Sequence, residues 1–202
     1  MEPFEVLTAV AAPIDRDDVD TDQLLPARFL LKRRSDPAYP TFLFHDQRFD
    51  GQGQPRPAFV LNRPAYAPAR MLVGRRNFGG GSSREAAAIA LWAAGFRVVI
   101  AQSFGDIFYA NCVKNGILPV RLEAAAVQSL QAQLQAQPGT ALTVDLPQQQ
   151  VRTPNGACHA FDIDAYSKDC LRQGLSQIGL TLRHRANIDA FESAYRARHP
   201  WF

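Results

Sequence analysis

Cysteine and histidine are scarce and widely scattered in this chain of 202 residues. Its three cysteines, Cys112, Cys158 and Cys170, form no Cys-x-x-Cys pair, and its four histidines are equally dispersed. An odd number of distant cysteines argues against a disulfide framework and against a self-contained metal or iron–sulfur site. We therefore expect small structural thiols, no metal ligands on this chain, and any required metal to come from a partner.

The sequence also lacks long apolar runs and dense basic clusters. No stretch is long enough to span a membrane, and the first residues lack the basic region and apolar run of a signal peptide. We therefore expect a cytoplasmic protein without a membrane partner. Net charge is +3, and Lys32-Arg33-Arg34 is the one tight basic group. A nucleic-acid surface is denser in basic residues, so no such partner is expected.

Apolar residues make up 47% of the chain, enough for a sizeable core in one domain over residues 1–202. Short predicted strands alternate with helices, and a pair of strands follows around the turn at 154–156. The strands are predicted at 5–12, 71–73, 96–101, 117–122 and twice within 140–163, and the helices at 82–94, 103–116, 123–137 and 187–198. This order predicts an α/β domain with a mixed sheet.

Several local signals place the boundaries of these elements. Ser82 with Glu85 forms a capping box, and Ser103 with Asp106 resembles a second helix cap. Pro119 indicates an edge strand or a bulge. Residues 32–70 lack clean periodicity and predict a long irregular loop, and a helical extension is predicted from about residue 164.

The most informative segment reads Asn-Phe-Gly-Gly-Gly-Ser-Ser-Arg-Glu at residues 77–85. Its glycines allow close approach to a ligand, and the following helix directs free N–H groups and a positive dipole end toward the loop. Arg84 adds a planar clamp for a carboxylate or phosphate. These features predict an anion site, although a flexible glycine turn before a capped helix fits as well. The loop lacks the Gly-Lys-Ser/Thr ending of a P-loop.

This segment resembles the Gly-Ser-Ser-Arg-Glu signature of the swivelling domain of the aconitase superfamily. Further segments, in the same order, are similar to the small subunits of bacterial isopropylmalate dehydratases; they lie at 19–26, 44–49, 59–62, 103–111 and 176–182. The resemblance covers nearly the whole chain. It implies an aconitase-type swivelling domain with a mixed or barrel-like sheet and flanking helices.

The resemblance implies a hydro-lyase that is active only with a separate large subunit, which carries a 4Fe–4S cluster. The implied reaction of leucine biosynthesis moves the hydroxyl of 2-isopropylmalate by loss and re-addition of water. Ser82 would be the base that removes the proton, and Arg84 would bind a substrate carboxylate. Thr21, Asp22 and Ser83 would contact the substrate, although Thr21 and Asp22 fit polar loop residues too.

The segment 29–34 stands where this family has its substrate-recognition loop. Lys32, Arg33 or Arg34 would meet the distal carboxylate, and Leu30 or Leu31 would meet the isopropyl group. A solvated basic turn is the alternative interpretation.

Two residues depart from the pattern Gly-Cys-Gly-Ser-Ser-Arg-Glu-His that is common in the family. Gly80 replaces the cysteine, and Ala86 replaces the histidine. Ala86 cannot donate, accept or titrate. Two alternatives therefore stay open: a related hydro-lyase that acts on another hydroxy diacid, such as a methylated malate, and a non-catalytic paralogue that only binds.

Overall fold

The computed structural model describes residues 1–201 and contains one seven-stranded mixed sheet in the order β4-β3-β2-β1-β5-β6-β7. This arrangement confirms the predicted α/β class, and the sheet curls into a half-barrel. The strands are β1 (Val6–Pro13), β2 (Met71–Val73), β3 (Val98–Ala101), β4 (Leu118–Arg121), β5 (Ala141–Asp145), β6 (Gln150–Arg152) and β7 (Cys158–Ala160).

Helices follow most of the strands and occupy both faces of the sheet. They are α1 (Thr21–Leu24), α2 (Tyr39–Phe42), α3 (His45–Arg48), α4 (Glu85–Ala93), α5 (Asp106–Lys114), α6 (Ala124–Ala136), α7 (Ala165–Gln173), α8 (Gln177–Thr181) and α9 (Arg185–Arg198). Within residues 1–201, none of them combines the length and apolar character needed to cross a lipid bilayer.

The four strands β1 to β4 run parallel, whereas β5, β6 and β7 extend the sheet from β1 in antiparallel pairs. Parallel strands bring their carboxyl ends to one edge of a sheet. The segments that follow β1, β2 and β3 therefore meet, and isolated bridges join Asp20 to Gly80 and Phe78 to Phe104. The segment predicted to bind an anion lies at this junction.

Successive residues of each strand enter two separate cores, as the pleat requires. One core contains Ala12, Leu72 and Val99 and is covered by α4, α5 and much of the irregular segment. The other contains the neighbouring Ala11 and Met71 and is covered by α6 and α7. This arrangement confirms the predicted flanking helices.

Several predicted boundaries were wrong. Residues 140–163 form three strands rather than two, because the tight connection between Asp145 and Gln150 adds a hairpin before the predicted turn. The helices predicted to begin at Ser82 and Ser103 begin instead at Glu85 and Asp106. Pro119 does lie in β4, an edge strand of the sheet.

The irregular segment is held together by its own polar contacts rather than by long elements. The Arg48 guanidinium donates to Oδ1 of Asn62 at 3.2 Å and to the carbonyl of Pro40 at 3.2 Å. The Asn62 amide donates back to the Arg48 carbonyl at 2.6 Å. Burial lowers the pKa of Arg48. This network fixes the segment against the core beside α4.

Candidate active site

The glycine loop between β2 and α4 is pinned to the segment that follows β1. The Gly79 N–H donates to the Val19 carbonyl at 2.6 Å, and the Thr21 N–H donates to the Gly80 carbonyl at 3.0 Å. Gly79 has φ +73° and Gly81 has φ +97°, and a Cβ at Gly79 would overlap the ring of Phe108. Glycine is therefore required here for both backbone conformation and space.

Ser103, predicted to cap a helix, holds the glycine loop instead. Its Oγ accepts the backbone N–H of Asn77 at 2.8 Å, and its carbonyl accepts the N–H of Phe78 at 2.9 Å. Gly105 is the residue at the amino end of α5, and no side chain caps it there. The predicted cap was wrong because the hydroxyl is already engaged by the neighbouring segment.

Ser82 also does not cap α4, although the sequence predicted that it would. Its Oγ lies 3.0 Å from Oγ1 of Thr21, and its backbone N–H donates to the same Thr21 oxygen at 3.2 Å. Arg84 has extended geometry at the helix boundary, with φ −76° and ψ 106°, so α4 begins at Glu85. The Ser82 hydroxyl is therefore not committed to a helix cap, and the residue is exposed.

Arg84 and Asp22 form an ion pair beside the loop, which brings together two of the predicted site residues. Asp22 is exposed, whereas the Arg84 side chain is only 24% exposed. Among residues 1–201, no side chain caps the amino end of α4. The first N–H groups of that helix therefore offer donors and partial positive charge to an anion, whereas the Arg84 guanidinium is already paired with Asp22.

Arg34, in the predicted recognition loop, contacts the first residue of α4. Nη2 of Arg34 lies 3.7 Å from Oε2 of Glu85, the residue after Arg84. The other oxygen of Glu85 accepts the Asn115 side-chain amide at 3.1 Å. All three basic residues are exposed, and among the described residues Arg34 is the one of the three that forms an ion pair with the helix.

The remaining predicted residues differ in their exposure. Leu31 is 98% exposed, whereas Leu30 is 38% exposed. Ser83 is exposed on the same loop as Ser82. Thr21, in contrast, is buried beneath the loop, with its hydroxyl directed at Ser82.

The two departures from the family pattern have different surroundings. A Cβ on Gly80 would lie 2.8 Å from Nδ2 of Asn77, whose amide donates to Oδ1 of Asp18 at 2.9 Å. Ala86 is half-buried and packs against the core. The Asn77–Asp18 contact was not predicted from the sequence. The asparagine shortly before the glycine run is its one sequence signal, since asparagine tolerates left-handed backbone better than most residues and Asn77 has φ +55°.

The cysteines do not fit a cluster site. Cys112 and Cys170 are buried in different cores and Cys158 is exposed, all three as free thiols. Burial raises the pKa of the Cys112 thiol, which disfavours the thiolate that binds metals. Within residues 1–201, no group of three histidine, cysteine or acidic side chains could hold a metal ion.

Comparisons with known proteins agree with the family motifs. The Aconitase C-terminal domain model matches residues 1–125, and the model for the C-terminal domain of the 3-isopropylmalate dehydratase small subunit matches residues 178–202. The 3-isopropylmalate dehydratase small subunit of Magnetococcus marinus is 51% identical over 210 residues, which cover all of this chain and 98% of that protein. The 3-isopropylmalate dehydratase small subunit of Brevibacillus brevis is 47% identical over 193 residues, which cover 96% of this chain and 99% of that protein.

A crystal structure of 3-isopropylmalate dehydratase from Methanocaldococcus jannaschii has the same fold. It superposes with a TM-score of 0.64 at 24% identity and covers 93% of this chain and 99% of its own. At that identity the likeness supports the fold, whereas the family rests on the more similar sequences. The chain therefore belongs to the Aconitase C-terminal domain family and, within it, to the 3-isopropylmalate dehydratase small subunits.

Proposed function

We propose that this chain is the small subunit of a 3-isopropylmalate dehydratase and interconverts 2- and 3-isopropylmalate together with a large subunit. Membership in a family of small subunits with this name supports the proposal. The observation that supports this chemistry is the Ser82 hydroxyl, which caps no helix, on the loop that also carries Arg84 and precedes the uncapped end of α4. The proposal thus assigns a base and an anion-binding group to one loop.

In the forward reaction, a proton leaves the carbon that carries a carboxylate and hydroxide leaves the neighbouring carbon, so that a C=C bond forms between them. The large subunit accepts the hydroxide. Water then re-adds to the double bond with the two positions exchanged. Ser82 takes the leaving proton, and Arg84 holds a carboxylate in the orientation that the transfer requires. A serine hydroxyl is a weak base in water. The nearby guanidinium and helix end stabilise negative charge on its oxygen once water is excluded.

The cluster that the family implies does not fit the residues of this chain. Its thiols are dispersed between two cores and the surface, so they cannot converge on one group. We therefore assign the cluster to the large subunit, and we assign binding of the substrate carboxylates and proton transfer to this chain.

The recognition loop supplies the remaining substrate contacts in this proposal. Arg34 lies beside Glu85, close to Arg84, and suits the distal carboxylate. Leu31 projects almost fully into solvent and suits the isopropyl group once the loop is covered by the large subunit. Burial of one such aliphatic side chain stabilises a contact by about 1.5–3 kcal/mol.

The test is the Ser82→Ala variant, reconstituted with its large subunit and assayed on 2-isopropylmalate. We expect kcat to fall by roughly four orders of magnitude or more, while association and melting temperature stay unchanged. Ser129→Ala is the matched control, since Ser129 is exposed on α6 across the sheet. Near-normal turnover by Ser82→Ala would contradict the proposal.

A further inference from the structure

Thr21 and Ser82 are held in a fixed mutual position by two elements that are distant in sequence. The Thr21 N–H donates to the Gly80 carbonyl at 3.0 Å. Thr21 opens α1, whose amino end is capped by Asp20, as Oδ1 accepts the Gln23 N–H at 2.7 Å. Thr21 is 1% exposed. Its hydroxyl therefore has little freedom to leave Ser82.

Three contacts surround the Thr21 hydroxyl, and all of them involve Ser82. Oγ1 of Thr21 accepts the Ser82 backbone N–H at 3.2 Å, which occupies one lone pair. The single hydroxyl proton of Thr21 then has two acceptors within reach: Oγ of Ser82 at 3.0 Å and the Ser82 carbonyl at 3.5 Å. The shorter contact is the better hydrogen bond. The geometry therefore allows Thr21 to donate to Oγ of Ser82, although either hydroxyl can be the donor while Ser82 keeps its proton.

The assignment becomes mandatory when Ser82 has lost its proton. A serine alkoxide has no hydrogen to donate, so the hydroxyl at 3.0 Å can only be the donor. A hydrogen bond to the charged form of a group favours that form and lowers its pKa. The effect is strong here because the donor is buried and already oriented.

We propose that Thr21 is a positioning residue for the reaction: its buried hydroxyl donates to Oγ of Ser82 and stabilises the deprotonated base. This inference rests on the proposed function, in which Ser82 removes the substrate proton. It replaces the substrate contact that the sequence predicted for Thr21, because the hydroxyl faces the enzyme's own base. The substrate contacts predicted for these two motifs then fall to Asp22 and Arg84.

Thr21→Val tests the inference, because it keeps the shape of the side chain and removes only the hydroxyl. In the reconstituted complex we expect kcat to fall by about 100- to 1,000-fold and KM to change by less than about threefold. The pH at which kcat reaches half of its plateau should rise, because the deprotonated serine has lost a donor. Thr21→Ser should restore kcat to within about tenfold of the unchanged enzyme.

Thr8→Val is the matched control, since Thr8 also pairs with a hydroxyl, that of Thr143 at 2.8 Å, on the exposed face of β1. It should leave both kcat and the pH profile unchanged. If Thr21→Val fails to associate with the large subunit, Thr21→Ala replaces it under the same criteria.

Two results would overturn the inference: an unchanged kcat and pH profile in Thr21→Val, or a Thr21→Ser variant as impaired as Thr21→Val. The Ser82→Ala variant separates this failure from failure of the proposed function. Inactive Ser82→Ala with normal Thr21→Val refutes only the role of Thr21. Active Ser82→Ala refutes the proposed function itself.

Discussion

The guanidinium of Arg84 pairs with the carboxylate of Asp22, 62 positions earlier in the chain. This contact joins two of the segments that resemble the family, 19–26 and 77–85, and it lies next to the Thr21–Ser82 contact. A substrate carboxylate at Arg84 must therefore share or displace Asp22. We infer that the pair keeps the guanidinium oriented toward the loop before substrate arrives.

Arg84→Lys should lower kcat/KM by about 100-fold, because lysine keeps the charge but loses the fork that matches a carboxylate. Arg84→Gln should impair the reaction at least as much. Each should change the free energy of unfolding by less than about 1 kcal/mol, since the Asp22 partner is exposed. Steady-state kinetics and thermal melting of the reconstituted enzyme measure the two effects.

Arg152→Lys is the control for Arg84→Lys. Arg152 pairs with Asp145 at 2.9 Å in the β5–β6 hairpin, so its replacement should leave kinetics unchanged. If the Arg84 variants lose stability while their kinetics stay normal, Arg84 is a packing residue and the assigned anion site is wrong.

Gly80→Cys, which introduces the residue common in the family, should lower the free energy of unfolding by about 1 kcal/mol. Its Cβ would lie 2.8 Å from Nδ2 of Asn77, so the amide must move and lose its bond to Asp18. Asn77→Gly removes the obstructing side chain at a left-handed position that glycine accepts. In the Asn77→Gly background, Gly80→Cys should therefore lower the free energy of unfolding by much less.

Urea unfolding of the unchanged chain, both single variants and the double variant measures this coupling. A coupling energy near zero would show that Gly80 and Asn77 are independent. It would also remove the structural explanation for Gly80 in this chain.

Local patterns predicted the order of most helices and strands, because apolar or helix-forming runs end at glycine and proline residues such as Gly95 and Pro138 that also end the elements. Apart from the extra hairpin within residues 140–163, the wrong boundaries lie at the site. Ser82 and Ser103 both have the spacing of helix caps, but each hydroxyl contacts another loop instead. A capping pattern considers only the backbone N–H groups of its own segment. In the fold, the Ser82 hydroxyl contacts Thr21 and the Ser103 hydroxyl accepts the Asn77 N–H instead.

The family motifs identified the candidate residues, whereas the contacts between those residues became visible only in the fold. Asp22 and Arg84 belong to separate motifs, and only the parallel order of β1, β2 and β3 brings the motifs together. The contact between Arg34 and Glu85 likewise depends on how the irregular segment packs beside α4. No periodicity in residues 32–70 encodes that packing.

We expect the three cysteines of the isolated chain to bind no stoichiometric iron and to differ in their reactivity. Cys112 and Cys170 lie in cores on opposite faces of the sheet, so no small movement can bring them to one metal. Burial raises the pKa of both thiols, and the reactive thiolate form is therefore depleted. The purified chain should be colourless, without stoichiometric iron. Iodoacetamide should modify the exposed Cys158 first.

Peptide mass spectrometry of the native chain measures the order of alkylation, and Cys158→Ser should abolish the fast phase. Unfolding in urea should make Cys112 and Cys170 react at the rate of Cys158, because the difference arises from burial rather than from the local sequence. A brown isolated chain with sulfur-ligated iron absorbance would contradict the assignment of the cluster to the large subunit. Equal reactivity of the three thiols before unfolding would contradict the burial on which that assignment depends.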